Sequence, residues 1–333
     1  MFGYSANDEW FRTLATILKT KKVVAPREKG TLEILNHTTI VDMKNPIVTY
    51  EPRKLGYRFM PAEAAFILTG RNTVGMISKY SDMISQFSDD GYFFNGAYGP
   101  QLIDQLTYIV DELVNDNNTR QAVATIWRPN PRPSKDIPCT VAVQFMIRDN
   151  KLHIFDTMRS SDIWLGWPYD IFNFTMCAAF VSLLYKLRTG HLLPLGNIYL
   201  TAASQHLYET DYEKAVDVLQ NPKTMPYHSF DITQFNHPKE LTQWLIDHAE
   251  KGTLLDFPKP TLLVFNKIDN FKEAEIDVLQ GIAEHWRAKI NLKTVFISAV
   301  SKENINQLKA LIYEMVKTIH VKRFPYQSTY FNF

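Results

Sequence analysis

Cysteine is almost missing from this 333-residue chain, which carries only Cys139 and Cys177. Two cysteines exclude a disulfide framework. An excess of either charge is missing too: 36 Lys and Arg face 35 Asp and Glu, a formal net charge of +1. That balance argues against a general binder of nucleic acid, so any basic site must be local and sized for one phosphate. There is no long apolar run. The longest, around Phe174–Leu187, is too short to span a bilayer and ends in basic residues. The N-terminal MFGYSANDEWFRTLATIL mixes polar and apolar positions, as an amphipathic helix does and a signal peptide does not. A soluble, cytoplasmic protein with no membrane partner is expected. A G-x-x-x-x-G-K-[ST] loop is absent as well. What is present is 45% hydrophobic and 13% aromatic residues, enough for one large core or two ordinary ones.

Local patterns predict the elements. Asp8–Lys19 is helical, with cap candidates from Ser5 to Asp8. Gly30–Val48 has strand composition, and Ala62–Leu68 and Gln101–Asn115 have helical patterns. Ala122–Trp127 reads as a buried strand, followed by the proline-rich loop Arg128–Lys135. Thr140–Arg148 and Leu152–Met158 are strands joined by a turn at Asp149–Asn150, and Tyr169–Leu187 is a long apolar helix. Strands with buried helices imply a mixed α/β domain over residues 1–252. From about Pro258 to residue 333 the pattern becomes β-α-β-α, the signature of a small parallel sheet.

Cys139 lies between the proline loop and a strand. It is either a buried structural cysteine or a nucleophile activated by cations. Arg128, Arg132, Arg148 and Arg159 are all within about twenty residues of it, and spacing does not say which of them face it. Downstream, RSSDIWLGWPYD runs from Arg159 to Asp170. An Arg-Ser pair can hold a phosphate through a guanidinium fork and a hydroxyl. Asp170 suits either the N-cap of the next helix or a ligand contact.

The order C-T-x-x-V-Q-x-x-I-R-D, then R-S-x-D-x-x-x-G, then H-x-Y at His206–Tyr208 resembles the thymidylate synthase superfamily across roughly residues 8 to 235. The resemblance implies a mixed sheet packed with helices, a homodimer and 5,10-methylenetetrahydrofolate as co-substrate, with no metal. It implies that Cys139 attacks C6 of a pyrimidine nucleoside monophosphate. Arg159 and Ser160 would hold the phosphate, with Arg27 as a mobile phosphate arginine and Arg120 lent across a dimer interface. Asp162 would bind the pterin ring, and Gly166 would let the pyrimidine pack closely. His206 and Tyr208 would hold the sugar. Glu63 would organise water, and Tyr98 would help remove the C5 proton. Three departures stand out: Arg120 is followed by Gln121, Cys139 is followed by Thr140 rather than His, and the usual folate-closing tail is not recognisable.

Asp170 bears on the base. Thymidylate synthases have Asn at the matching position, eleven residues after the phosphate arginine. An amide donates to uracil O4 and accepts from N3–H. A carboxylate can instead accept from the cytosine amino group and favour a protonated N3. Aspartate here, with Cys-Thr at the nucleophile, looks like the deoxycytidylate hydroxymethylase branch, in which water captures the C5-methylene intermediate. The expected activity is 5-hydroxymethylation of dCMP, with CMP possible. The alternatives are thymidylate synthesis from dUMP and a non-catalytic binding protein of the same fold.

Near the C-terminus, NKID at Asn266–Asp269 and ISAV at Ile297–Val300 resemble the guanine-reading end of an HflX-type GTPase. Without a phosphate loop there is no cradle for phosphates and Mg²⁺. GTP binding is therefore not expected, and the segment reads as a truncated GTPase-like appendix for packing or interaction.

Overall fold

The computed structural model describes residues 4–20, 23–255, 262–266, 281, 284 and 293–323. The chain forms two compact units, Met1–Leu255 and Asp256–Phe333.

In the first unit, α1 (Ala6–Lys19) starts at Ser5, whose hydroxyl accepts from the Asp8 amide. Strands β1 (Val23–Val24) and β2 (Thr31–Asp42) follow. Next come α2 (Phe59–Leu68), the short α3 (Val74–Ile77) and α4 (Tyr98–Asn115). The remaining strands are β3 (Val123–Thr125), β4 (Thr140–Arg148), β5 (Lys151–Met158), the two-residue β6 (Ser161–Asp162) and β7 (Leu195–Tyr208). The sheet order is β1-β2-β7-β5-β4-β3, with β6 pairing β7. Most pairs are antiparallel, while β5 and β6 both run parallel to β7, so the sheet is mixed. Asp149 and Asn150 turn β4 into β5 with φ of 50° and 56°, the left-handed pair that a tight hairpin requires.

The centre of the unit is α5 (Trp167–Thr189). Gly166 precedes it, Pro168 stands in its first turn, and Gly190 ends it at a left-handed φ of 77°. It packs on β5 and β7 and against α1, α2, α4 and α7 (Pro238–Lys251). The apolar stretch expected to be too short for a bilayer thus lies in a 23-residue helix, and 72% of its most apolar window is buried within the domain. That burial accounts for an apolar face all round the helix. Helix α6 (Tyr212–Gln220) completes the unit. The composition-based reading missed β7, the long strand that carries His206 and Tyr208.

In the second unit, β8 (Leu262–Phe265) and β9 (Lys293–Phe296) pair in parallel, and α8 (Ile305–Arg323) follows. The Asn266 side chain accepts from the Ala299 amide at 3.1 Å, which ties the ends of the two paired strands together. Residues 267–269 of the NKID motif lie outside the described residues.

Candidate active site

Cys139 ends the proline-rich loop just before β4. That loop is fastened at several points. Asp89 accepts from the Ser134 hydroxyl at 2.6 Å and the Lys135 amide at 2.9 Å, and Asp136 accepts from the Gly96 amide at 2.7 Å. Arg159 straps the final turn. Its guanidinium donates to the carbonyls of Pro138 at 2.9 Å and Ile137 at 3.0 Å, and its own amide donates to the Cys139 carbonyl. A further guanidinium N–H reaches the Ser160 hydroxyl at 3.0 Å, and that hydroxyl lies 3.8 Å from Cys139 Sγ. The sulfur is therefore placed by one Arg-Ser pair that also borders open space.

Of the four arginines near Cys139 in sequence, only Arg159 acts directly on it. Arg148 turns away to the carbonyls of Ile147 and Asn118. Arg128 reaches Asn95, and with Arg132 it lines a separate outer pocket. Arg27, far away in sequence, adds a second cation. Cations do not dominate at this thiol. Burial pushes the Cys139 thiol up, Asp170 adds to that push, and Arg159, the Ser160 hydroxyl and Arg27 only partly offset it.

The cleft of about 750 Å³ beside Ser160 gathers Arg27, Arg159, Ser160, His206 and Tyr208. His206 and Tyr208 come from β7, with their rings edge-to-face at 5.1 Å. Arg27 has a left-handed backbone at φ 52°, and Glu28 follows at φ 63°. Two consecutive non-glycine residues there store local strain. The cleft also holds Glu33, which accepts from the Ser204 hydroxyl at 2.7 Å. Arg120 is not brought to this cleft. It is exposed, and its backbone carbonyl accepts from the Gln144 amide side chain.

A second cavity, about 190 Å³, has Glu63, Tyr98, Asp136, Asp170 and Asn173 among its polar lining and Ile77, Ile84, Phe87 and Phe94 along an apolar side. Tyr98 opens α4, and its hydroxyl accepts from the amides of both Cys139 and Thr140 at 3.3 Å. Gly99 permits this placement: a Cβ there would come within 2.8 Å of the Ile67 carbonyl at the end of α2. Burial, with Asp170 and Cys139 nearby, pushes the Tyr98 phenol well up, so it holds its proton. Glu63 accepts from the Asn173 amide at 2.7 Å. Burial pushes the Glu63 carboxyl up to about 7, and the Asn173 bond only partly offsets this. Asn173 was missed from sequence. The available signal was its place three residues after Asp170, on the same face of α5.

Asp170 is not a helix cap. Gly166 holds the N-cap position, and Asp170 lies within the first turn of α5, on the cavity wall. Burial pushes its carboxyl well above the ordinary carboxylate range, and Glu63 and Asp162 add to the push. Gly166 sits against it: a Cβ there would stand 3.3 Å from Asp170 Oδ2. Asp162 Oδ1 accepts from the amides of Trp164 at 2.8 Å and Leu165 at 3.1 Å. Arg53 steadies that loop, donating to the Trp164 carbonyl and stacking over its ring at 4.6 Å. Among the described residues, no group of three or more His, Cys, Asp or Glu side chains is arranged to hold a metal ion.

The deoxyuridylate hydroxymethyltransferase of Bacillus phage SP01 is 34% identical over 221 residues, covering 60% of this chain and 56% of that protein. The deoxyuridylate hydroxymethyltransferase of Delftia phage PhiW-14 is 28% identical over 202 residues, covering 56% of this chain and 55% of its own length. A putative thymidylate synthase of Methanothermobacter marburgensis is 25% identical over 228 residues, covering 64% of this chain and 94% of that protein. The chain thus spans about half the length of the phage relatives it matches. A family model described as thymidylate synthase matches residues 8–251, from α1 to the last residue of α7. Because that single model accounts for nearly all of the first unit, the chain belongs to the thymidylate synthase family.

Proposed function

We propose that the first unit hydroxymethylates C5 of a pyrimidine nucleoside monophosphate, with a cytidine nucleotide, dCMP before CMP, as substrate. The observation that carries this reading is Asp170. A carboxyl group stands on the wall of the cavity that also holds Glu63 and Tyr98, and it acts electrostatically on Cys139.

In this reading Arg159, Ser160 and Arg27 bind the phosphate, while His206 and Tyr208 meet the sugar. The base enters beside Asp170. In its acid form, Asp170 donates its O–H to cytosine N3 and accepts from the amino group. Passing that proton to N3 draws electrons from C6. Cys139 Sγ then forms its bond to C6, the C5–C6 π pair shifts towards C5, and the thiol proton passes to water in the cleft beside Ser160. Burial opposes the thiolate in the free protein, so the activation must come late, helped by Arg159 and the donating Ser160 hydroxyl. The Tyr98 hydroxyl already accepts two amides and keeps its proton, so it orients a water that takes the C5 proton rather than taking that proton itself as a strong base. Glu63, with its carboxyl near 7, can remove a proton from water attacking the one-carbon unit on C5. Expulsion of Cys139 restores the ring.

The residues fit a folate co-substrate. The apolar side at Ile77, Ile84, Phe87 and Phe94 suits a flat ring system, and Asp162 Oδ2 is left to meet a ring donor. When bound, methylenetetrahydrofolate supplies the one-carbon unit. Arg120, exposed and away from its own cleft, is suited to complete the site of a second copy in a homodimer. The second unit serves packing or interaction without GTP.

A second reading, dUMP as substrate, draws support from the names of the phage relatives. The neutral acid at Asp170 could equally donate to uracil O4 and accept from N3–H. Product analysis with dCMP, CMP and dUMP in parallel decides between them. Hydroxymethyl-dCMP with tetrahydrofolate is expected. Turnover of dUMP alone to dTMP, with dihydrofolate formed, would sink the reading.

A further inference from the structure

The stretch Ser134–Cys139 that delivers the nucleophile is gripped at both ends. At the far end Arg159 holds the Ile137 and Pro138 carbonyls. At the start the grip is Asp89, from a remote part of the chain. Its Oδ2 accepts from the Ser134 hydroxyl at 2.6 Å and its Oδ1 from the Lys135 amide at 2.9 Å. Ser134 Oγ accepts in turn from the Asp136 amide at 3.0 Å, and Asp136 accepts from the Gly96 amide at 2.7 Å. One carboxylate therefore fixes the start of the path that ends at Cys139.

The segment that carries Asp89 is itself knotted. Ser88 Oγ donates to the Phe93 carbonyl at 2.7 Å and accepts from the Gly91 amide at 2.9 Å. Asp90 Oδ1 accepts from the amides of Tyr92 at 2.7 Å and Phe93 at 2.9 Å. Gly91 turns the chain at a left-handed φ of 79°, which only glycine adopts without strain. Bonded across itself in this way, residues 88–93 form one stiff turn. The residues on either side of that turn, Phe87 and Phe94, both line the apolar side of the 190 Å³ cavity beside Glu63 and Tyr98. Phe87 is 45% exposed, so a flat ring seated there would cover apolar surface that now faces water.

We propose that Asp89 is a positioning residue through which a ring seated against Phe87 and Phe94 sets the place of Cys139. Asp89 touches neither reactant. It joins the wall of the co-substrate's cavity to the start of the nucleophile's loop, while Arg159 joins the phosphate cleft to the end of the same loop. Cys139 is then fully placed only when both ligands are bound. This inference rests on the reading of that apolar side as the seat of the folate ring.

The test uses the full chain with Asp89→Ala, Asp89→Asn and Ser134→Ala. Asp89 is exposed, so these changes leave the core alone. Asparagine keeps a carbonyl for the Lys135 amide and an N–H for the Ser134 oxygen. With whichever of dCMP or dUMP turns over, Asp89→Ala and Ser134→Ala should lower kcat roughly 10- to 100-fold, shift the nucleotide KM less than about threefold, and Asp89→Asn should recover most of kcat. The second readout is the rate at which iodoacetamide alkylates Cys139, with and without saturating tetrahydrofolate; Cys177, 1% exposed, stays silent. Tetrahydrofolate should change the Cys139 rate at least about fivefold in the parent and in Asp89→Asn, and less than about twofold in Asp89→Ala, although all three bind it. A parent rate that does not respond, an equal response in Asp89→Ala, or no rescue by asparagine overturns the assignment of Asp89. If the parent binds no tetrahydrofolate, the reading of the cavity fails and the inference falls with it.

Discussion

Replacing Glu63 by glutamine isolates the ionisation of one buried carboxyl with little change of shape. Glutamine Oε1 can accept the bond that Asn173 now donates to Glu63 at 2.7 Å. What is lost is the ability to carry a negative charge. Burial raises the carboxyl from its ordinary 4.5 to about 7. The folded protein therefore holds this proton more tightly than the unfolded chain does. As pH rises from about 4.5 to about 7, the unfolded chain binds fewer protons and stability falls; above that window the loss is complete. The shift corresponds to about 3 kcal/mol at most. Glu63→Gln escapes that loss. Its advantage over the parent should be negligible near pH 4.5 and greatest above pH 7, worth roughly 6–12 °C in melting temperature for a unit of this size. Differential scanning calorimetry at about pH 5 and about pH 8 reads the difference. Turnover should respond oppositely. A general base that must ionise gives a rate rising through pH 7, and its loss should cost roughly 100- to 10,000-fold and abolish that rise. A melting advantage equal at both pH values, or a Glu63→Gln rate that still rises through pH 7, would refute the assignment.

Three further predictions follow from the same geometry. Cys139→Ser should eliminate turnover while changing nucleotide affinity by less than about threefold in calorimetric titration, since sulfur acts in bond formation and not in binding. Retained turnover would remove Cys139 from the bond-forming step. Arg159→Lys should raise KM for the nucleotide and also lower the melting temperature, because lysine cannot hold both the Pro138 and Ile137 carbonyls; loss of two such bonds costs about 1–3 kcal/mol. Asp170→Asn should lower kcat/KM for dCMP roughly 10- to 150-fold relative to dUMP, the equivalent of one hydrogen bond to a charged group. An unchanged dCMP-to-dUMP ratio would remove Asp170 from base selection.

Much of this site was legible because its parts lie close in sequence on regular elements. The β4–β5 hairpin places Cys139 and Arg159 side by side, since Thr140 pairs with Met158 across the ladder. Strand composition and the Asp-Asn turn were enough to expect the hairpin, though not which arginine faces the thiol. Proximity in sequence misleads elsewhere. Arg148 is nine residues from Cys139, yet a strand of that length carries it about 30 Å along β4 to the far end. Arg27 is remote in sequence but arrives at the cleft through β2, whose Thr31 pairs with Tyr208. No local pattern encodes that pairing.

The state of the Cys139 thiol was illegible for a related reason. Counting cations around Cys139 measures only attraction, whereas burial acts on the thiolate in the opposite direction and here exceeds it. The same burial acts on Glu63, Tyr98, Asp156 and Asp170. A cavity in which every acidic group is held towards its protonated form cannot rely on preformed anions. Its chemistry must begin with proton transfer to the substrate, and the group best placed to make the first transfer is the one that also meets the base. Specificity and activation would then be one event at Asp170. A pyrimidine whose N3 cannot take a proton would bind without making C6 reactive. That distinction belongs in kcat rather than in affinity, so equal dissociation constants for dCMP and dUMP would be compatible with a strong preference in turnover.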